Sequence, residues 1–132
     1  MQRHFHEELK ELKVQIVIMG MAVKQAIEKS VQSFFERDSH LAYEVIGKDE
    51  SMVNHFEIEI DERVRALSAL QQPAASDMRL LASIYKINTD LERMGDHAVN
   101  IAERSLLLNE QPPLEKFCCY ARQLQHKRNA IL

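Results

Sequence analysis

Apolar residues recur every three or four positions along three long segments of the chain, and polar residues fill the gaps. In the first segment Leu9, Leu12, Ile16, Met19, Val23, Ile27, Val31 and Phe34 draw a single stripe down one helix. The second runs from about Leu41 to Leu70, with Val45, Met52, Phe56, Ile60, Val64 and Leu67 as its stripe. The third repeats Leu80, Ile84, Ile87, Leu91, Met94, Ala98 and Ile101. Between the first two, Glu-Arg-Asp-Ser-His at 36–40 supplies Asp38 or Ser39 as an N-cap. Gln71-Gln72-Pro73 ends the second segment, because the residue before a proline is pushed out of the α region. Ser76 is then the expected N-cap of the third helix, and Asp77 suits its positive end.

Asn109 to Pro113 stops the third helix, and Leu114 to Leu132 reads as one short, basic, weakly amphipathic helix. Helices of roughly 30 residues are near 45 Å long, and short connections set such helices antiparallel. The expected fold is therefore all-α: an elongated antiparallel three-helix bundle over residues 1–113, with a C-terminal helical tail over 114–132. A coiled-coil rod is the competing arrangement, but Pro73 and the caps argue for folding back.

Composition narrows the function. A chain of 132 residues supports one core. A net charge of −3, with no basic face, speaks against nucleic acid as a partner and against direct binding to a membrane surface. The most apolar stretch, Val14 to Val23, contains Gln15 and has about half the ~20 residues of a membrane span. The only cysteines, Cys118 and Cys119, are adjacent and fit neither a disulfide framework nor a CxxC motif. They read as reduced thiols, which with the absence of a signal-peptide pattern points to the cytoplasm.

Two polar stripes carry the candidate chemistry. Glu50, Asn54, Glu57 and Asp61 on the second helix fall within a sector of roughly 60°, and Glu92, Asp96, Asn100 and Glu103 on the third within about 80°. Each contains Glu-x-x-x-Asp. Antiparallel packing brings Glu50–Glu57 level with Asp90–His97, and oxygen ligands from two helices at one level suit a hard or borderline cation. Like charges four apart also repel, so neutralisation by a cation would relieve the helix. The plainer reading is two solvated faces balanced by Arg63, Arg65, Arg93 and Arg104. By the same angular count the third-helix stripe points roughly 130–170° from the apolar face, which puts a metal site outside the bundle. Buried di-iron bundles use Glu-x-x-His, and no such pattern occurs. His97 reads as a packing histidine more readily than as a ligand. Gly95, costing a helix ~1 kcal/mol relative to Ala, makes sense where a neighbouring helix or ligand comes close. No HExxH, Gly-rich phosphate loop or nucleophile elbow is present, so neither an enzyme nor an organic cofactor is expected.

The run Asp90-Leu-Glu-Arg-Met-Gly-Asp-His-Ala-Val-Asn-Ile-Ala-Glu103 resembles the signature segment of the PhoU family. Gln71 to Leu80 resembles the turn before it, Met52 to Asp61 the matching part of the second helix, and Phe5 to Leu12 a PhoU start. The resemblance implies a three-helix repeat with multinuclear metal binding on the bundle surface through Glu57, Asp61, Glu92 and Asp96. Glu50, Asn54, Asp90, Asn100 and Glu103 are the nearby candidates. Iron, manganese, zinc and magnesium are the metals it suggests, with carboxylate-rich sites suiting the harder ions. It further implies negative regulation of phosphate uptake, linking a phosphate ABC transporter to a sensor histidine kinase at the cytoplasmic face. Family members usually carry two repeats. Here the residues after Pro113 reach no second Glu-x-x-x-Asp, so either the second repeat is cut short or a homodimer restores it. A metal-dependent enzyme or storage bundle and a metal-free helical adaptor are the alternatives.

Overall fold

The computed structural model describes residues 2–70, 73–113 and 115–131. These form α1 (Gln2–Glu36), α2 (Ser39–Glu44), α3 (Glu50–Leu70), α4 (Ala75–Asn109) and α5 (Glu115–Ile131). A π turn over Val45–Asp49 joins α2 to α3 without a break. Among the described residues there is no strand. α1, α3 and α4 pack against one another as the expected three-helix bundle, the longest interface lying between α1 and α4, while α5 lies on α1. The stop at Gln71-Gln72 and the side chains of Cys118 and Cys119 lie outside the described residues.

Local chemistry explains the helix ends. Asp38 caps α2 as anticipated, its Oδ1 accepting from the amides of His40 (3.0 Å) and Leu41 (3.3 Å). Arg37 ends α1 in a left-handed conformation, φ 54°. Its guanidinium Nη2 donates to the carbonyls of Leu108 and Asn109, both at 3.3 Å, and also to that of Gln111. The turn after α1 therefore satisfies carbonyls that the end of α4 leaves without helical partners. Asn109 Nδ2 adds a 2.9 Å bond to Ser39 Oγ. α4 starts one residue before the expected cap: Ala74 holds the N-cap position and Ser76 lies inside the first turn with Asp77.

The core divides by side-chain size. A large-residue cluster around Leu12, Met19, Ile60 and Leu81 fills one part of the bundle. A second, built from Ala26, Ala42, Val45, Ala98, Val99 and Ala102, lets α1, α2 and α4 approach closely. Buried serines line the same region. Their hydroxyls bond back to helix carbonyls, Ser30 to Ile27 (2.8 Å), Ser33 to Ser30 (2.6 Å) and Ser105 to Ile101 (2.8 Å).

Three stripe assignments change. Toward the end of α1, Ala26, Ser30 and Ser33 are buried, and Ile27, Val31 and Phe34 only partly so. On α3, Val53 is buried where Met52, about 100° round the helix, is 38% exposed. On α4, Ile87, Met94 and Ile101 are exposed, and Leu81, Asn88, Gly95, Val99, Ala102 and Ser105 face inward instead. The inward face of α4 is thus turned roughly 60° from the most apolar stripe. Small residues win because close packing, and not hydrophobicity alone, decides which face can touch α3 and α1.

Gly95 is the tightest point. A Cβ there would lie 3.2 Å from Val53 Cγ1 on α3. Gly95→Leu is expected to lower stability by about 1–3 kcal/mol through overpacking, read as a fall in Tm. An unchanged Tm would show that α3 and α4 have slack at this crossing.

Candidate metal site

One close contact and one hydrogen bond fix the register of α3 against α4. Gly95 sits on Val53, and seven residues earlier the buried Asn88 donates from Nδ2 to the Glu57 carbonyl at 3.0 Å. Because the inward face of α4 is turned, the Glu92–Asp96 line lies beside this seam and not on the far side of the bundle. The outward placement expected from the apolar stripe is corrected accordingly: Glu92 is half-buried, while Asp96 remains exposed.

Glu57 on α3 lies near enough to Glu92 on α4 for its charge to act on that carboxyl, and Asp96 adjoins Glu92 on α4. Partial burial, a hydrogen bond with Asp96 and the charges of Asp96 and Glu57 hold the Glu92 carboxyl above its ordinary pKa, with Arg93 pulling the other way. One level further along, Glu50 and Asn54 share a small crevice with Asp49, Gly95 and Asp96. Asp61 is engaged by Arg65 at 2.9 Å and Asp90 by Lys86 at 3.2 Å. Asn100 and Glu103 stand exposed farther along α4, as does His97, which therefore does not pack inside the bundle. Of the nine candidates the fold brings together Glu57, Glu92 and Asp96, and beside them Glu50 and Asn54. Asp61 and Asp90 are tied to their own helices.

Sequence reasoning missed the wall behind the crevice. The π turn directs Asp49 inward until its side chain is 6% exposed. Lys29 of α1 donates to Asp49 Oδ1 at 3.3 Å and lies 3.5 Å from Glu44 Oε2. Burial opposes the ammonium's charge, but Asp49 and Glu44 outweigh it and raise the Lys29 pKa. Asp49 Oδ2 has the same ammonium 3.3 Å away, yet no hydrogen bond of acceptable geometry. A lysine one helix away from two carboxylates carries no sequence signature. The inserted residue of a π turn, common at functional sites, carries none either.

Oxygen donors on two helices fit the chemistry of a hard cation. Among the described residues, no three His, Cys, Asp or Glu side chains converge into a closed ligand cage. Glu92 and Asp96 share a hydrogen bond, and Glu57 acts on Glu92 through its charge.

Fold and seam define the class: an all-α three-helix unit with a carboxylate-lined groove between two of its helices. The PhoU domain matches residues 16–105, and the chain belongs to the PhoU family. It is 44% identical over 111 residues to a phosphate-specific transport system accessory protein PhoU homolog of Aquifex aeolicus, covering 84% of this chain and 50% of that protein. It is 38% identical to the accessory protein PhoU of Escherichia coli, covering 77% and 42% respectively. The crystal structure of PhoU from Pseudomonas aeruginosa superposes with a TM-score of 0.83 at 34% identity, over 90% of this chain and 56% of that one. The chain spans about half the length of the curated relatives it matches.

A raised Glu92 gives a definite pH dependence. Its contribution to stability is complete below the ordinary carboxylate range and is lost as pH rises through its elevated pKa. Glu92→Gln should therefore raise Tm at neutral pH, with the gain vanishing in acid. Equal effects at both pH values would show that the carboxylates do not interact.

Proposed function

We propose that this chain is a non-enzymatic regulator of phosphate uptake, acting in the cytoplasm through protein contacts with a phosphate ABC transporter and a sensor histidine kinase. Its sense is negative, restraining uptake when phosphate is plentiful. Residues 1–113 form the regulatory bundle and 114–132 a helical tail, and two copies associate as a homodimer. The accessory-protein names of its relatives support the phosphate reading. No helix among the described residues is long and apolar enough to cross a membrane, so contact with the transporter would run through protein partners.

Divalent or transition ions, among them iron, manganese, zinc or magnesium, bind the α3–α4 seam in this reading. Glu57, Glu92 and Asp96 are the principal ligands, and Glu50 and Asn54 lie next to them. Asp61 and Asp90 join by exchanging Arg65 and Lys86 for the ion, while Asn100 and Glu103 extend the acidic line. The single observation that carries the metal reading is the placing of Glu92 beside Asp96, within reach of the Glu57 charge across the seam. Repulsion held in place by Asn88 and the Gly95–Val53 contact is relieved by a cation without rearranging the bundle.

Replacing Glu92 and Asp96 together by Ala should abolish uptake of iron or manganese, measured by metal analysis after dialysis. Helicity should change little, since both positions lie at the rim of the seam. Metal retained by that variant would reject the assignment. Deleting the chain from its host should raise phosphate uptake in phosphate-replete medium, and unchanged uptake would reject the regulatory role.

A further inference from the structure

The crevice between α3 and α4 is closed from behind by α1 and the π turn. Ala26, Val45, Val53 and Val99 form its apolar lining, and Asp49, Glu50, Asn54 and Asp96 supply its polar groups. It has room, about 10 Å³, for a single water-sized body. Of its three carboxylates Asp49 is buried, with a side chain 6% exposed, while Glu50 is half-buried and Asp96 exposed. One helical turn after Ala26, Lys29 extends along the same side of α1. Its ammonium lies 3.3 Å from Asp49 Oδ1 and 3.3 Å from Oδ2, astride the carboxylate, and 3.5 Å from Glu44 Oε2. An ammonium so placed supplies the positive charge that a buried carboxylate needs. Asp49 is therefore neutralised from behind, and its charge does not add to those of Glu50 and Asp96 in front.

We propose that Lys29 is a positioning residue that limits the cation affinity of the seam, holding Asp49 from behind and cancelling its charge toward an ion in the crevice. This rests on the metal reading proposed above and names the residue that regulates that same site. Lys29 and a bound cation compete for one carboxylate. At an effective dielectric of about 20, unit charges about 10 Å apart still change an affinity by roughly tenfold. Glu44 gives the ammonium a second place: an ion drawing on Asp49 leaves Lys29 beside Glu44, so no charge is stranded. A lysine that merely pins α1 to the π turn would form the same ion pair, and charge arithmetic separates the two roles. The Lys29–Asp49 pair is neutral. Lys29→Met leaves it negative, Asp49→Asn leaves it positive, and the two changes together make it neutral again.

The test is manganese(II) binding to the whole chain, measured by isothermal titration calorimetry. Lys29→Met should bind the ion about tenfold more tightly than the unaltered chain, and Asp49→Asn about tenfold more weakly. The double variant should return to within about threefold of the unaltered chain, and Lys29→Arg, which keeps the charge, should match it. A structural pin would move stability in these variants without that alternation in affinity. Lys29→Met also leaves a buried carboxylate uncompensated, so its Tm should fall without metal and rise on adding manganese by more than that of the unaltered chain. Affinity unchanged in Lys29→Met, or a double variant as weak as Asp49→Asn alone, overturns the role of Lys29. Should Lys29→Met fail to fold, Asp49→Asn and the double variant decide the matter, since neither leaves Asp49 bare. A chain that binds manganese without the alternation overturns this inference alone. Absence of binding by any of these proteins overturns the metal reading, and this inference with it.

Discussion

The bundle depends on the close approach of α3 to α4. Gly95 gives Val53 the room to come within van der Waals distance, and Asn88 ties the same two helices through the Glu57 carbonyl. Both contacts are buried and the hydrogen bond is directional, so sliding or rolling either helix disturbs at least one of them. Glu57, Glu92 and Asp96 are carried on the rim of that seam, and their mutual repulsion is imposed by the packing beneath them. The placement of the acidic group on its two helices is therefore a product of the core.

The opposite end of the molecule obeys a different rule. Ala26, Ala42, Ala98 and Ala102 allow three helices to meet closely, and buried serines turn their hydroxyls back onto their own backbones. Arg37 closes this end by gathering the last carbonyls of α4. The short α1–α2 turn and the end of α4 thereby behave as one piece.

Much of the architecture was legible because period and punctuation agree. Three stripes of period 3.6, Asp38 as a cap and Pro73 as a breaker suffice to define three antiparallel helices. The rotation of α4 was not legible. Ile87, Met94 and Ile101 advertise a core face, but the true one is marked by Gly95, Ala98, Ala102 and Ser105, whose small size counts only once a neighbouring helix is in place. That same rotation moves Glu92 from the outer face to the seam, so an error in the core became an error in the site. Glu57 opposite Glu92 followed from antiparallel register and needed no more than the turn. Asp49 and Lys29 could not be inferred, because a π turn and a contact across twenty residues leave no periodic trace.

Asp49 and Glu44 together carry one more negative charge than Lys29 can balance, and they stand behind a crevice whose mouth holds Glu50 and Asp96. Lys29 offsets one of these charges, and the net sign of the wall stays negative. Inorganic phosphate near neutrality bears between one and two negative charges and is turned away from bare carboxylates. The crevice therefore disfavours a free anion at its mouth.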